Sequence, residues 1–308
     1  MRSKVSIIGA GMTGATTAHW LAQLEIADIV LIDVVEGLAQ GKALDLQQAM
    51  PVLGKDVKIQ GGTDYALTAN SDVIVITAGL PRKPGMSRDD LLMANAEIVR
   101  QAAINTLQYS PQAIYIILTN PLDVMTYLTW KVTGLPAARV FGQAGILDST
   151  RMATFVAEEL GVSVENVHCY VLGGHGDEMV PLVHISNVAG VPLDHMIPAD
   201  KLAAIVERTR KGGGEIVSLL KMGSAFYAPG VAVAKMVEAV LRDKHLIAPL
   251  SAYLQGEYGL SGIYFGVPAQ IGRNGVEKIL EYPLTENEQA ALRKSAANVA
   301  ENIAKLNL

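Results

Sequence analysis

Short β-branched apolar runs alternate with longer helical patterns through the first half of the chain. Residues 5–8, 29–32, 57–60, 73–77 and 114–118 read as strands, and helical periodicity covers 12–24, 37–50 and 88–108. Strands apolar at successive positions are buried on both faces, which indicates a parallel sheet covered by helices on each side. After residue 142 the pattern changes. Helical segments dominate, at 148–160, 199–211, 215–222 and 231–242, broken by strand-like runs at 167–172, 249–254 and 263–271. Asn274-Gly275 is a hairpin-turn signal that leads into a further strand at 275–280. Thr285 followed by Glu288 predicts a capping box opening a final helix. The expected fold is α/β: a Rossmann-type doubly wound parallel sheet over residues 1–142, then a mixed α+β part over 143–308. No flexible linker marks the boundary, so the two parts are expected to pack together and share one cleft.

Composition narrows the class. A chain of 308 residues, 50% hydrophobic and 18% charged, has enough apolar content for a large core and is not a disordered one. Its net charge of -5 gives no electrostatic case for nucleic acid or anionic lipid. A small anionic substrate would therefore need a local cluster of arginines. The single cysteine, Cys169, permits no intrachain disulfide and fits a reducing cytoplasm. No apolar run approaches the roughly 18 residues of a membrane span. The expectation is a cytoplasmic protein with neither nucleic-acid nor membrane partners.

The first strand leads into Gly9, Ala10, Gly11, Met12, Thr13 and Gly14, a G-x-G-x-x-G string that opens a helix. Its context makes it specific. Gly9 permits a tight turn, Gly11 lets the backbone approach a pyrophosphate, and Gly14 lets helix and strand pack closely. The helix N-terminus offers amide donors and partial positive charge to phosphates. Asp33, at the end of the second strand, can accept hydrogen bonds from both ribose hydroxyls and would repel a 2′-phosphate, which favours NAD over NADP. No cysteine pair, H-E-x-x-H or clustered acidic loop suggests a metal, and no G-x-S-x-G suggests a hydrolase.

Four further segments carry chemistry: Gly79 to Leu91 with Arg82 and Arg88, Thr119-Asn120 to Asp123, Gly145 to Arg151 with Asp148, and Leu172-Gly-Gly-His175-Gly-Asp177. In this order they make the chain resemble the lactate/malate dehydrogenase family from residue 4 to near the C-terminus, and within it the malate dehydrogenases of lactate-dehydrogenase-like sequence. The resemblance implies NAD-dependent, reversible oxidation of (S)-malate to oxaloacetate in the tricarboxylic acid cycle, by a homodimer or homotetramer. A lactate or broader 2-hydroxy acid dehydrogenase is the nearest alternative, and a catalytically inert NAD-binding protein the alternative from another class.

Oxidising a 2-hydroxy acid needs a base within reach of the hydroxyl. His175, flanked by glycines, is the candidate, with an intrinsic pKa suited to the work. His19, His168, His184, His195 and His245 lack such context and read as structural or surface residues. The resemblance makes Asp148 the carboxylate partner of His175, although Asp177 is closer and the residues alone leave both open. It makes Arg151 the bidentate anchor of the substrate carboxylate, on the same helix face as Asp148. The Pro- and Gly-containing stretch before Arg88 reads as a mobile lid. By resemblance Arg88 polarises the reacting carbonyl, and Arg82 pairs with the second carboxylate of malate, where lactate dehydrogenases carry glutamine. Asn120 can hydrogen-bond the substrate oxygen while Leu118 and Thr119 lie on the cofactor side, and the family's Asn-Pro bond is cis. The resemblance also places Asn95 near the cofactor and residues around Ser224 near the substrate. The apolar pattern over 231–240 fits an interface helix and a core helix equally.

Overall fold

The computed structural model describes residues 2–80, 87–221 and 223–308, without the side chain of Arg88. In chain order the N-terminal elements are β1 (Lys4–Ile8), α1 (Met12–Leu24), β2 (Asp28–Ile32), α2 (Leu38–Leu53), β3 (Ile59–Gly62), β4 (Val73–Ile76), α3 (Arg88–Tyr109), β5 (Ile114–Ile117), α4 (Leu122–Thr133) and β6 (Val140–Gly142). Then come α5 (Gly145–Leu160), the two-residue strands β7 (Val167–His168), β8 (Val171–Leu172), β9 (Val180–Pro181), β10 (Asn187–Val188) and β11 (Val191–Pro192), and α6 (Ala199–Leu220). The chain closes with α7 (Tyr227–Leu241), β12 (Leu246–Gln255), β13 (Ser261–Gly272), β14 (Gly275–Ile279) and α8 (Glu286–Ala304).

One sheet runs in the order β14-β13-β12-β6-β5-β4-β1-β2-β3. Its six N-terminal strands are parallel, with Val5 opposite both Ile29 and Val73 and Ile76 opposite Ile117. Side chains alternate between two cores. Val5, Ile7, Ile29, Leu31, Val73 and Val75 face one. Ile8, Val30, Ile32, Ile74, Ile76 and Ile117 face the other. This is why the central strands β4 and β5 read as unbroken apolar runs: each buries both faces. Chain order reverses at β1–β4, which puts a topological switch point beside the glycine-rich turn. A third core joins α5 to α6 and the small sheet through Met152, Val156, Val188, Leu202 and Ile205. Among the described residues no helix is long and apolar enough to cross a membrane.

The doubly wound sheet matches the sequence reading, but several elements differ from it. β12–β14 belong to the same sheet as β1–β6. They extend the parallel one antiparallel, Ser251 pairing with Gly142. α4 was not expected, and it is buried on most sides. Its Thr126, Thr129 and Thr133 donate to carbonyls one turn back, which satisfies hydroxyls inside the core. The run 167–172 splits into β7 and β8, which pair in different sheets. The two helices expected around Gly212-Gly213-Gly214 are one, α6, in which Gly212 and Gly213 lie beneath the Arg151 side chain instead of ending a helix. α7 is a core helix, with Val233, Ala234, Met236 and Val237 fully buried, and Gly230 lets it sit against Thr16 of α1. The capping box at Thr285 and Glu288 starts α8, and Ser87 with Asp90 makes another at α3.

β13 meets the turn that follows β8 backbone to backbone. Gly173 N–H donates to Gly266 O at 2.8 Å. A Cβ on Gly266 would run into that Gly173 carbonyl. Gly266→Ala is therefore expected to destabilise the fold by about 1–3 kcal/mol, read as a lower urea midpoint. A midpoint equal to that of the parent would mean the turn can move away without cost.

Candidate active site

The glycine-rich turn follows β1 and is held tightly. Gly9 sits at φ +102°, and a Cβ there would lie 2.6 Å from Ala78 N, so only glycine fits. A Cβ on Gly14 would strike the Gly9 carbonyl, whereas Gly11 faces open space. α1 starts at Met12 with no side-chain cap, leaving its first-turn amides available to an anion. Asp33 stands at the end of β2, where it accepts from Ala10 N at 2.7 Å and Val35 N at 3.0 Å. Two residues that the motif does not reveal brace the turn: Lys42 Nζ donates to Ala10 O at 2.7 Å, and Thr77 Oγ1 donates to Gly9 O at 3.0 Å. Backbone cradle, uncapped helix and carboxylate together fit a dinucleotide without a 2′-phosphate.

β4 and β5 end at the same edge. Thr119 Oγ1 donates to Ala78 O at 2.7 Å, and Asn120 is exposed beyond it, joined to Pro121 by a cis peptide bond. Leu118 is half-buried behind them. Asn95, only 2% exposed, ties these loops together: Leu80 N donates to its Oδ1 at 2.7 Å, and its Nδ2 donates to Asn120 O at 2.8 Å. Both ends of its amide are thus engaged with backbone. Ser224 is exposed in the segment before α7. Arg82 lies outside the described residues. Arg88 begins α3, but its side chain is also outside them.

α5 and the turn after β8 bring the remaining candidates together. Asp148 sits in the first turn of α5 with its side chain 2% exposed. His175 Nδ1 is 2.8 Å from Asp148 Oδ2, and Arg151 Nη1 is 3.1 Å from Asp148 Oδ1. Between Asp148 and Asp177, the pairing with Nδ1 belongs to Asp148. Arg151 lies over Gly212 and Gly213 of α6, where a Cβ on Gly212 would come within 3.2 Å of its Cδ. Its Nε is buried and finds no acceptor among the described residues, so the guanidinium keeps donor capacity for an anion.

Burial alone would push the His175 imidazole down. The charge and hydrogen bond of Asp148 outweigh it, with help from the Asp123 charge and against Arg151, and hold His175 above its ordinary value. An imidazole that donates Nδ1–H to a carboxylate presents Nε2 as its acceptor. The sequence reading quoted Asp123 in a motif but gave it no role; it is a buried residue of α4 that takes the His175 backbone N–H at 3.0 Å. Its signal is in the chain, three residues after Asn120.

The two parts of the chain match two family models. Residues 3–142 match the lactate/malate dehydrogenase NAD-binding domain. Residues 146–307 match the lactate/malate dehydrogenase α/β C-terminal domain. The chain belongs to the lactate/malate dehydrogenase family. Within that family it is 56% identical over 306 residues to a malate dehydrogenase of Roseiflexus castenholzii, spanning 99% of each. The apo malate dehydrogenase of Picrophilus torridus superposes with a TM-score of 0.97 at 48% identity, over 99% of this chain and 97% of that one. A Cryptosporidium parvum lactate dehydrogenase, solved with lactic acid and nicotinamide adenine dinucleotide, also gives 0.97, at 43% identity over 100% of this chain and 98% of that one. The cofactor of this family member is NAD.

Asp33→Ser should raise the Kd for NAD about tenfold, the worth of one hydrogen bond to a charged group, and narrow the gap to NADP. Calorimetric titration of both cofactors reads this directly. Unchanged affinities would remove Asp33 from the site.

Proposed function

We propose that the chain catalyses the NAD-dependent, reversible oxidation of (S)-malate to oxaloacetate. The observation that carries this reading is the His175–Asp148–Arg151 array, in which a proton acceptor and a carboxylate anchor share one buried carboxylate. The full-length likeness to malate dehydrogenases supports malate as the substrate.

When bound across Gly9–Gly14, Asp33 and the β5 edge, NAD supplies the hydride acceptor for oxidation and the donor for reduction. Arg151 binds the carboxylate next to the reacting carbon through its planar donors. His175 accepts the hydroxyl proton at Nε2, and Asp148 stabilises the resulting imidazolium through Nδ1–H. Asn120 and Arg88 donate to the oxygen on which carbonyl character develops. Arg82 takes the second carboxylate. The roles of both arginines rest on the sequence motif. An arginine desolvated over the methyl group of pyruvate would lose roughly 3–5 kcal/mol, so the site rejects the monocarboxylate. Asn95 acts on the cofactor side by holding the loops of Leu80 and Asn120. We place the protein in the cytoplasm, as a homodimer or homotetramer serving the tricarboxylic acid cycle. The buried Cys169 thiol, pushed up to about 12 by burial, is unreactive there.

Purified protein should oxidise NADH rapidly with oxaloacetate and barely with pyruvate; the reverse preference would overturn the substrate. His175→Asn should abolish turnover while NAD still binds. Arg82→Gln should shift the ratio of kcat/KM values toward pyruvate by about 100-fold or more, given the cost above, and an unmoved ratio would remove Arg82 from the selection.

The raised His175 also sets a pH dependence. Oxidation needs the neutral imidazole, so kcat/KM for malate should fall as pH drops through a midpoint above 6.5, the ordinary histidine value. Reduction needs the imidazolium, so kcat/KM for oxaloacetate should fall as pH rises through the histidine midpoint of the NADH-bound form. Midpoints below 6.5 in both directions would contradict the Asp148 assignment.

A further inference from the structure

The turn that carries His175 is anchored by two consecutive amides. Gly174 N–H donates to Ser295 Oγ of α8 at 3.0 Å. His175 N–H donates to Asp123 Oδ2 of α4 at 3.0 Å. A neutral hydroxyl suffices for the first, yet the second uses a carboxylate that is only 4% exposed. Burying an ionised group is costly unless a compensating charge is near. The other oxygen of Asp123, Oδ1, accepts from Ser251 Oγ of β12 at 2.6 Å. Neither partner is a cation. The nearby positive charge is the one that appears on the His175 ring when it takes a proton.

We infer that Asp123 is a positioning residue for the proton-transfer step, a second buried carboxylate that fixes the His175 backbone and favours the imidazolium together with Asp148. This rests on His175 being the proton acceptor. The two carboxylates divide the task. Asp148 meets the ring at Nδ1, whereas Asp123 holds the main chain and acts on the ring through space. Burial, aided by the like charge of Asp148, pushes the Asp123 carboxyl up; the Ser251 hydroxyl, the His175 amide and the His175 charge oppose it. Ionisation of Asp123 and protonation of His175 therefore favour each other. The charged groups facing His175 are Asp148 and Arg151 from α5 and Asp123 from α4. β12 and α8 contribute the Ser251 and Ser295 hydroxyls.

The test is Asp123→Asn in the full-length protein. Asparagine keeps an acceptor for the His175 amide, and the Ser251 hydroxyl can turn to accept from the new NH₂, so the packing is conserved and the charge removed. The alkaline limb of kcat/KM for oxaloacetate reduction, and the acid limb for malate oxidation, should both move to lower pH by about one unit, with NAD affinity unchanged. Ser251→Ala is the second variant. It removes a hydrogen bond that favours the ionised carboxylate and should move both limbs the same way by less. Limbs that stay in place in both variants, with turnover retained, would overturn the role of Asp123 and leave the dehydrogenase reading intact. Absence of turnover in the parent protein would instead defeat the reading on which the inference rests.

Discussion

A single buried carboxylate shared by a guanidinium and an imidazole organises this site. Asp148 is almost wholly removed from water, with one oxygen on His175 and the other on Arg151. Removing one partner of such a pair leaves an uncompensated buried charge, typically at a cost of roughly 3–5 kcal/mol. The arrangement is also a constraint on chemistry. The oxygen that takes Nδ1–H sets the histidine tautomer, and the one that takes Nη1 sets the guanidinium plane. His175 and Arg151 are thus oriented by one buried group on one helix.

The fold serves that constraint by bringing distant segments to one sheet edge. β1, β4 and β5 deliver the dinucleotide turn and its neighbouring loops at their carboxyl ends, where doubly wound sheets bind ligands. β6 leads through Ala144 directly into α5 and Asp148. The turn bearing His175 comes from β8, outside the main sheet, and needs its own anchors. Gly266 of β13, Ser295 of α8 and Asp123 of α4 each take one of three successive amides, those of Gly173, Gly174 and His175. The continuation of the parallel sheet by β12 and β13 has a functional consequence. It carries Ser251 and Gly266, and hence the histidine turn, into register with the cofactor edge.

How much of this could be read from the chain follows from the physics of each part. The parallel strands were legible because burial on both faces writes continuous apolar runs. The dinucleotide turn was legible because Gly9 and Gly14 answer steric demands that no other residue meets. His175, Asp148 and Arg151 were legible as a set through the family's motifs, whereas spacing alone left Asp177 open as the partner of His175. α4 escaped the reading although its burial is extensive, and Asp123, quoted at the end of a motif, was left without a role. Gly212 to Gly214 looked like a helix end. Helix-breaking propensity is a weak prior, and here packing under Arg151 overrides it. The extension of the sheet by β12–β14 depends on long-range pairing that no local pattern encodes.

The claim that Asp148 sets the protonation of His175 is tested most directly by a nuclear magnetic resonance titration of the labelled imidazole, in the parent protein and in Asp148→Asn. The parent should show a neutral form protonated at Nδ1 and a midpoint above 6.5, falling in the variant as the Asp148 charge is lost and burial dominates. A parent midpoint at or below 6.5, or one unmoved by the substitution, would contradict it.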